Sequence, residues 1–266
     1  MRFKLNEIQI SRLVNGVNRR LLSIPHRVKW CFFSGYNSKR LKSYYNKYKG
    51  RKCYLVANGP SLKGMSLSFL NNQISFGLNR IYLAYEKFGF TNTFLVSINK
   101  LVLSQFSDEI NRLMIPRFLN WECRQDFDGT SERNLFIYKN FFGQRFGKRI
   151  DHSINPAATV TYAALQIIYY MGFKKVVIVG MDHSFTVNDK DYPNKTVLVT
   201  EERDRNHFDP NYFPKGSKWE TPDLVSSEYY YKIARDIFEA DNREIIDCTE
   251  NGKCEIFKKG NIRDHI

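Results

Sequence analysis

The chain has no C-x-x-C pair, no G-x-x-x-x-G-K-[ST] loop and no G-x-G-x-x-G run, and each absence removes a class of protein. Its five cysteines, Cys31, Cys53, Cys123, Cys248 and Cys254, are odd in number and scattered. That argues against a zinc ribbon or paired redox site and fits free thiols in a reducing compartment. Without the two glycine fingerprints, ordinary P-loop kinases and dehydrogenases lose support. Neither a G-x-S-x-G elbow nor an H-E-x-x-H pair is present. No apolar secretory run opens the chain, since Met1 to Asn15 carries charges throughout, so cytoplasmic residence is expected. Long apolar runs are equally scarce. Residues 156–173 carry no charge, but Val160, Ala163, Ala164, Ile167, Ile168 and Met171 recur at helical spacing and Gly172 supplies a stop. A buried helix feeding the strand Val176–Gly180 is expected there, not a membrane span.

Acidic residues are nearly missing from the start of the chain. Residues 1 to 52 hold 14 Lys and Arg against the single acid Glu7, which leaves 27 basic and 26 acidic residues elsewhere. The +14 net charge therefore belongs to the N-terminal segment, and the neutral body argues against a nucleic-acid partner. Within that segment Ile10, Leu13, Val14, Val17 and Leu21 fall on one helical stripe with Arg12, Arg19 and Arg20 interleaved. The spacing predicts a basic amphipathic helix ended by Pro25. Trp30, Phe32 and Phe33 follow among Arg27, Lys29, Lys39, Arg40 and Lys42, a mixture suited to an anionic membrane surface on the inner face. Packing of residues 1–50 on the chain's own domain or on a second subunit, in a homo-oligomer, is the alternative.

What is present is a strand-helix alternation in a chain that is 42% hydrophobic and rich in Tyr and Phe. Cys53–Ala57, Ile74–Leu78, Thr93–Ile98, Val176–Gly180 and Arg243–Cys248 read as strands separated by helix-length segments, with Ser226–Ala240 helical. This predicts an α/β, Rossmann-like, mostly parallel sheet with helices on both faces. Residues 1–51 read as the basic helical extension and 52–266 as the nucleotide-binding catalytic domain, with a polar lid near 186–222.

The first strand runs into Asn58-Gly59-Pro60-Ser61-Leu62, where Gly59 permits a close turn and backbone amides can face a phosphate; a plain strand-to-loop turn would use the same residues. Asn79 and Asn99 follow the second and third strands, so three carboxamides are expected at one sheet edge, although a single Asn there is often only a turn former. A later strand ends in Gly180-Met181-Asp182-His183-Ser184, presenting an acid that can orient a ribose or base, and an imidazole. His207, in the lid, is the candidate general base, against the reading of a surface histidine. The triplets Asp126-Phe127-Asp128 and Asp189-Lys190-Asp191 follow no convincing buried strand, so no metal site is assigned. His26 and His265 lie in peripheral segments, and His152 has no evident partner.

Several ordered blocks resemble the family named for 6-hydroxymethylpterin diphosphokinase, which includes the core of the motility-associated flagellin glycosyltransferases. They are Asn58–Leu62, Phe76-Gly77-Leu78-Asn79-Arg80-Ile81-Tyr82, Thr159-Val160-Thr161-Tyr162, Met171-Gly172-Phe173, Gly180–Ser184 and Asn206-His207-Phe208 with Tyr212-Phe213. A more distant likeness is to the family 42 sialyltransferases, which share the N-G-P-S-L loop, the Asn after the second strand and the G-x-D. That likeness implies that Asn58, Ser61, Asn79 and Asn99 hold a CMP-activated sugar, with Thr159 and Thr161 near sugar or phosphate and Asp182 near ribose. It makes His207, or Asn211 at a shifted gap, the base acting on an acceptor hydroxyl. Ser184 stands where those enzymes carry a tyrosine. The implied activity is transfer of a 2-keto sugar acid from a nucleotide-sugar donor to a glycan acceptor, with no cofactor. A diphosphokinase, which would need magnesium, and a non-catalytic membrane scaffold are the alternatives.

Overall fold

Strands buried on both faces need continuous apolar runs, and helices must cover those faces. The computed structural model describes residues 7–141, 145–157, 159–185 and 196–266, with side chains from Val17 onward except 19, 20 and 23. Ten strands are described: β1 Lys52–Val56, β2 Ser75–Leu78, β3 Phe94–Ser97, β4 Arg117–Asn120, β5 Asn134–Ile137, β6 Lys175–Val179, β7 Val197–Val199, β8 Lys218–Glu220, β9 Glu244–Asp247 and β10 Lys258–Lys259. The helices are α1 Glu7–Phe33, α2 Gly35–Lys42, α3 Tyr85–Phe88, α4 Lys100–Asn111, α5 Val160–Tyr170 and α6 Leu224–Ala240. Eight strands pair in the order β10-β9-β6-β1-β2-β3-β4-β5, every pair parallel. The expected α/β Rossmann-like architecture is present. The uncharged stretch gives α5, buried from Thr161 to Tyr170, and among the described residues no helix is long and apolar enough to cross a membrane.

Strand order reverses beside β1, where β2 to β5 run to one side and β6, β9 and β10 to the other. Such a switch point opens a crevice at the carboxyl ends of the strands.

Three expectations are corrected. Pro25 does not end the first helix, which continues to Phe33. A proline inside a helix costs roughly 3 kcal/mol, but the turns beyond it are held by Trp30, buried perpendicular to Trp121 at 5.1 Å and stacked on Tyr138 at 5.8 Å. Trp30 is thus a core residue, not a headgroup anchor. The segment before residue 52 also makes contacts with the body. The Asn37 carboxamide donates to Phe136 O at 2.6 Å and accepts from Phe136 N at 2.9 Å, so α2 blunts the open edge of β5. Residues 46–50 join the loop after α5, with Asn46, Tyr48 and Gly50 amides donating to Tyr170, Met171 and Gly172 carbonyls. The strands β4 and β5 were also not foreseen, because polar residues open or close each four-residue run. Arg117 is only 1% exposed and bonds Asn134 and the Leu113 carbonyl.

Candidate functional site

A cavity of about 780 Å³ opens at the carboxyl edge of the sheet, within the roughly 300–1,000 Å³ range of small-molecule sites. Asn58, Gly59, Asn79 and Asn99 line it from the first three strands. Asp182, His183 and Ser184 line it from the end of β6, Thr159 and Thr161 from the start of α5, and His207 from the lid segment. Of the residues singled out from sequence, Pro60 and Ser61 do not reach it.

At the switch point the two loops are stapled together. Gly59 N donates to Gly180 O at 2.8 Å, and Asp182 accepts from Ser61 N at 3.0 Å and from Ser61 Oγ at 2.7 Å. A Cβ on Gly59 would lie 1.7 Å from Asp182 Oδ2, so glycine is required by close approach. This corrects the expectation of free loop amides. The amides of Gly59, Ser61 and Leu62 all have protein acceptors, and the Asp182 carboxylate is a fastener as well as a wall of the cavity.

The three carboxamides do converge, each in a different state. Asn58 Oδ1 is buried and has no hydrogen-bond partner among the described residues. Asn79 adopts a left-handed backbone, φ +47°, a conformation Asn tolerates better than most residues; its Oδ1 accepts from Ser97 Oγ at 3.1 Å. Asn99 caps α4, accepting from Leu101 N and Val102 N at 2.8 and 3.3 Å, which engages its oxygen and leaves its amide nitrogen for a ligand. Thr159 caps α5 through Thr161 N at 3.2 Å and also accepts from Tyr231 at 3.2 Å. Burial pushes the Tyr231 phenol up to about 12, keeping it a neutral donor. The first turn of α5 thereby faces the cavity, and a helix N-terminus favours negative charge.

His207 is better organised than sequence alone suggested. Its Nδ1 meets Asp204 Oδ2 at 2.7 Å, and the two side chains are 14% and 6% exposed. Its ring stacks on Tyr212 at 3.8 Å and 7°, with Phe213 edge-on at 5.5 Å. A carboxylate on Nδ1 fixes the tautomer that leaves Nε2 to accept a proton. Asp204 was missed because sequence spacing gave no reason to pair it. The segment is held by Arg80, whose guanidinium bonds the Asn211 carbonyl at 3.2 Å and the Tyr212 carbonyl, pairs with Glu109 at 2.8 Å and lies 3.6 Å above Phe106. Phe208 N donates to Asn58 O at 3.0 Å, joining this segment to the β1 loop. Asn211 is exposed and does not line the cavity, so the geometry favours His207. His183, whose side chain is 6% exposed, contacts Glu228 of α6 at 3.1 Å, has φ +54° and lines the cavity.

One end of the cavity was not foreseen. Leu22 and His26 of α1 reach it, together with Lys100, Glu122 and Lys139, so His26 is not peripheral. Burial lowers its pKa, with Arg124, Lys100 and Lys29 adding to the effect and Glu122 opposing it. Sequence pattern concealed this end because β4 and β5 were not legible. By contrast His265 sits at the opposite end, its carbonyl accepting from Lys52 and Tyr54, and His152 is 70% exposed. Asp128 bonds Thr130 in a local turn, and the triplet Asp189–Asp191 and part of the expected lid, 186–195, lie outside the described residues.

A family model described as 6-hydroxymethylpterin diphosphokinase MptE-like matches residues 33–188. Among solved structures, the MAf glycosyltransferase of Magnetospirillum magneticum AMB-1 superposes with a TM-score of 0.50 at 13% identity, covering 85% of this chain. The chain spans 38% of that protein's length, and at this identity the likeness concerns the fold. No curated protein matches the sequence.

Proposed function

The chain belongs to the 6-hydroxymethylpterin diphosphokinase MptE-like family, and from that premise we propose that it is a glycosyltransferase using a nucleotide-activated sugar, with a CMP-linked 2-keto sugar acid as donor and a glycan hydroxyl as acceptor. The observation that carries the reading is the Asp204–His207 pair on the wall of a cleft that starts at the switch point. His207 Nε2 takes the proton of the acceptor hydroxyl, the oxygen attacks the anomeric carbon, and the bond from that carbon to the phosphate oxygen breaks. Negative charge then develops on the departing nucleotide, where the first turn of α5 and the Asn58 and Asn79 carboxamides stabilise it. The reaction so written needs no metal. Diphosphate transfer would need carboxylates to hold magnesium; Asp182, the acid at the switch point, is engaged by Ser61, which favours sugar transfer. The exposed apolar stripe of α1 adds attachment to an anionic bilayer, where such acceptors are assembled.

Two measurements test the reading. Thermal shift against CMP, CDP, UDP, GDP and ATP should show stabilisation by CMP, and stabilisation by ATP with magnesium alone overturns it. Asp204→Asn should lower turnover by about 10²-fold, within the span of general-base contributions, with CMP affinity unchanged. Unaltered turnover removes His207 as the base.

A further inference from the structure

The cleft has two chemically different halves. Above β6, β1 and β2 it offers carboxamides, hydroxyls and a helix N-terminus. Above β3, β4 and β5 it offers charge, because Lys100 opens α4 just after β3, Glu122 lies two residues beyond β4 and Lys139 two residues beyond β5. Helix α1 closes this end with Leu22 and His26. The Lys139 side chain is only 12% exposed, and its ionic partner, Glu122 Oε2, is 3.9 Å away with 14% exposure. That distance exceeds a hydrogen bond, and Lys139 makes no hydrogen bond among the described residues. The Lys139 ammonium therefore opens on the cavity with a long ion pair to Glu122 and the Phe141 ring 5.9 Å away, and a ligand oxyanion would give its donors the close acceptor that Glu122 does not. His26 Nδ1, at the same end, is buried with no hydrogen-bond partner among the described residues.

We propose that this half is the pocket of the second substrate, in which the Lys139 ammonium receives an oxyanion, a phosphate or carboxylate carried by the acceptor, while Glu122 holds the site in its absence. The proposal rests on the reading of the other half as the nucleotide end, since only then does a second, charged pocket remain for the acceptor. Lys100 adds positive charge, and Glu122 and Glu220, both on the cavity wall, limit the pocket to ligands able to compete with a carboxylate. Burial lowers the Lys139 pKa; Glu122, Cys123 and Glu220 oppose that effect and Lys100 reinforces it.

The test is calorimetric titration of the full chain with inorganic pyrophosphate and, separately, with glucuronate, each with and without saturating CMP. At least one probe should bind alongside CMP. Lys139→Met should weaken that probe about tenfold or more, the usual worth of a charged hydrogen bond. Lys139→Arg should restore most of the loss. Glu122→Gln should tighten binding by removing the internal competitor, an effect that a merely structural Lys139–Glu122 pair would not produce. Pyrophosphate dependence identifies a phosphate-bearing acceptor and glucuronate dependence an acidic sugar. Binding of neither probe, binding indifferent to Lys139→Met in a variant that melts normally, or binding lost in Ser61→Ala instead, overturns the proposal. Failure of CMP to bind strikes the nucleotide reading alone, because dependence of either probe on Lys139 is measured without it.

Discussion

Gly59 and Asp182 define each other at the switch point. Adding a methyl group at Gly59 would drive it into the Asp182 carboxylate, 1.7 Å away, and displace the acceptor of Ser61 N and Oγ. Gly59→Ala should therefore lower stability by about 1–3 kcal/mol, or roughly 3–10 °C in melting temperature. Combining it with Asp182→Ala should cost less than the two changes summed, as expected for neighbours that share one clash; strict additivity in calorimetry would refute the coupling. His26 yields a prediction with pH. Its folded pKa is lowered, so the unfolded chain binds a proton first as pH falls below 6.5, and folding loses stability on the acid side of that value and nothing above it. Between pH 7.5 and 5.5 the wild type should lose more melting temperature than His26→Gln, and equal losses would show that His26 is solvated. Residues that end an apolar strand, such as Asn58, Asn79 and Asp182, were legible because a strand's carboxyl end is where a parallel sheet exposes side chains. His26, Asp204 and Lys139 were not, because their positions depend on packing between segments far apart in sequence.

At the scale of elements, the strands β1, β2, β3, β6 and β9 could be read from pattern within a residue or two. The strands β4 and β5 could not, since Arg117 and Asn134 are charged or polar yet satisfy each other inside the fold. The lid shows a similar dependence. Its described part carries the short antiparallel pair β7–β8 and the turn bearing His207, and both owe their position to partners outside the segment. Arg80, itself 3% exposed, bonds the carbonyls of Asn211 and Tyr212 and pairs with Glu109. Arg80→Met keeps the stem over Phe106 but removes those bonds. Amide exchange at Phe208 and Tyr212 should then quicken about tenfold or more, the equivalent of losing one charged hydrogen bond. Turnover should fall through displacement of His207 while CMP affinity changes little. Unchanged exchange would mean that the aromatic stack of His207, Tyr212 and Phe213 holds the segment alone.

At the scale of the whole molecule, exposed apolar surface and positive charge meet along α1. In α1, Val17, Leu21, Ile24, Val28 and Phe32 recur every three or four residues and are 47–78% exposed, while His26 and Trp30 on the other side meet the body and Leu22, 73% exposed, borders the mouth of the cavity. Arg27 and Lys29 are exposed beside the stripe, in a segment with 14 basic residues and one acid. An exposed apolar stripe bordered by cations suits a helix lying in the plane of an anionic bilayer, and it would bring the Lys139 end of the cleft close to acceptors in that bilayer. Deleting residues 1–50 is a poor test, because it would strip Trp30, Asn37 and Leu41 from the folded body. Replacing Leu21, Val28 and Phe32 by Glu leaves the core untouched and reverses both features of the stripe. The wild type should sediment with vesicles of phosphatidylserine and phosphatidylcholine in a ratio of about 1:2, less with phosphatidylcholine alone, and should be released as salt shortens the Debye length from about 10 Å at 0.1 M. The triple variant should stay in the supernatant. If it sediments like the wild type, the stripe does not contact lipid, and a concentration-dependent mass for the wild type alone would assign it to a second copy of the chain.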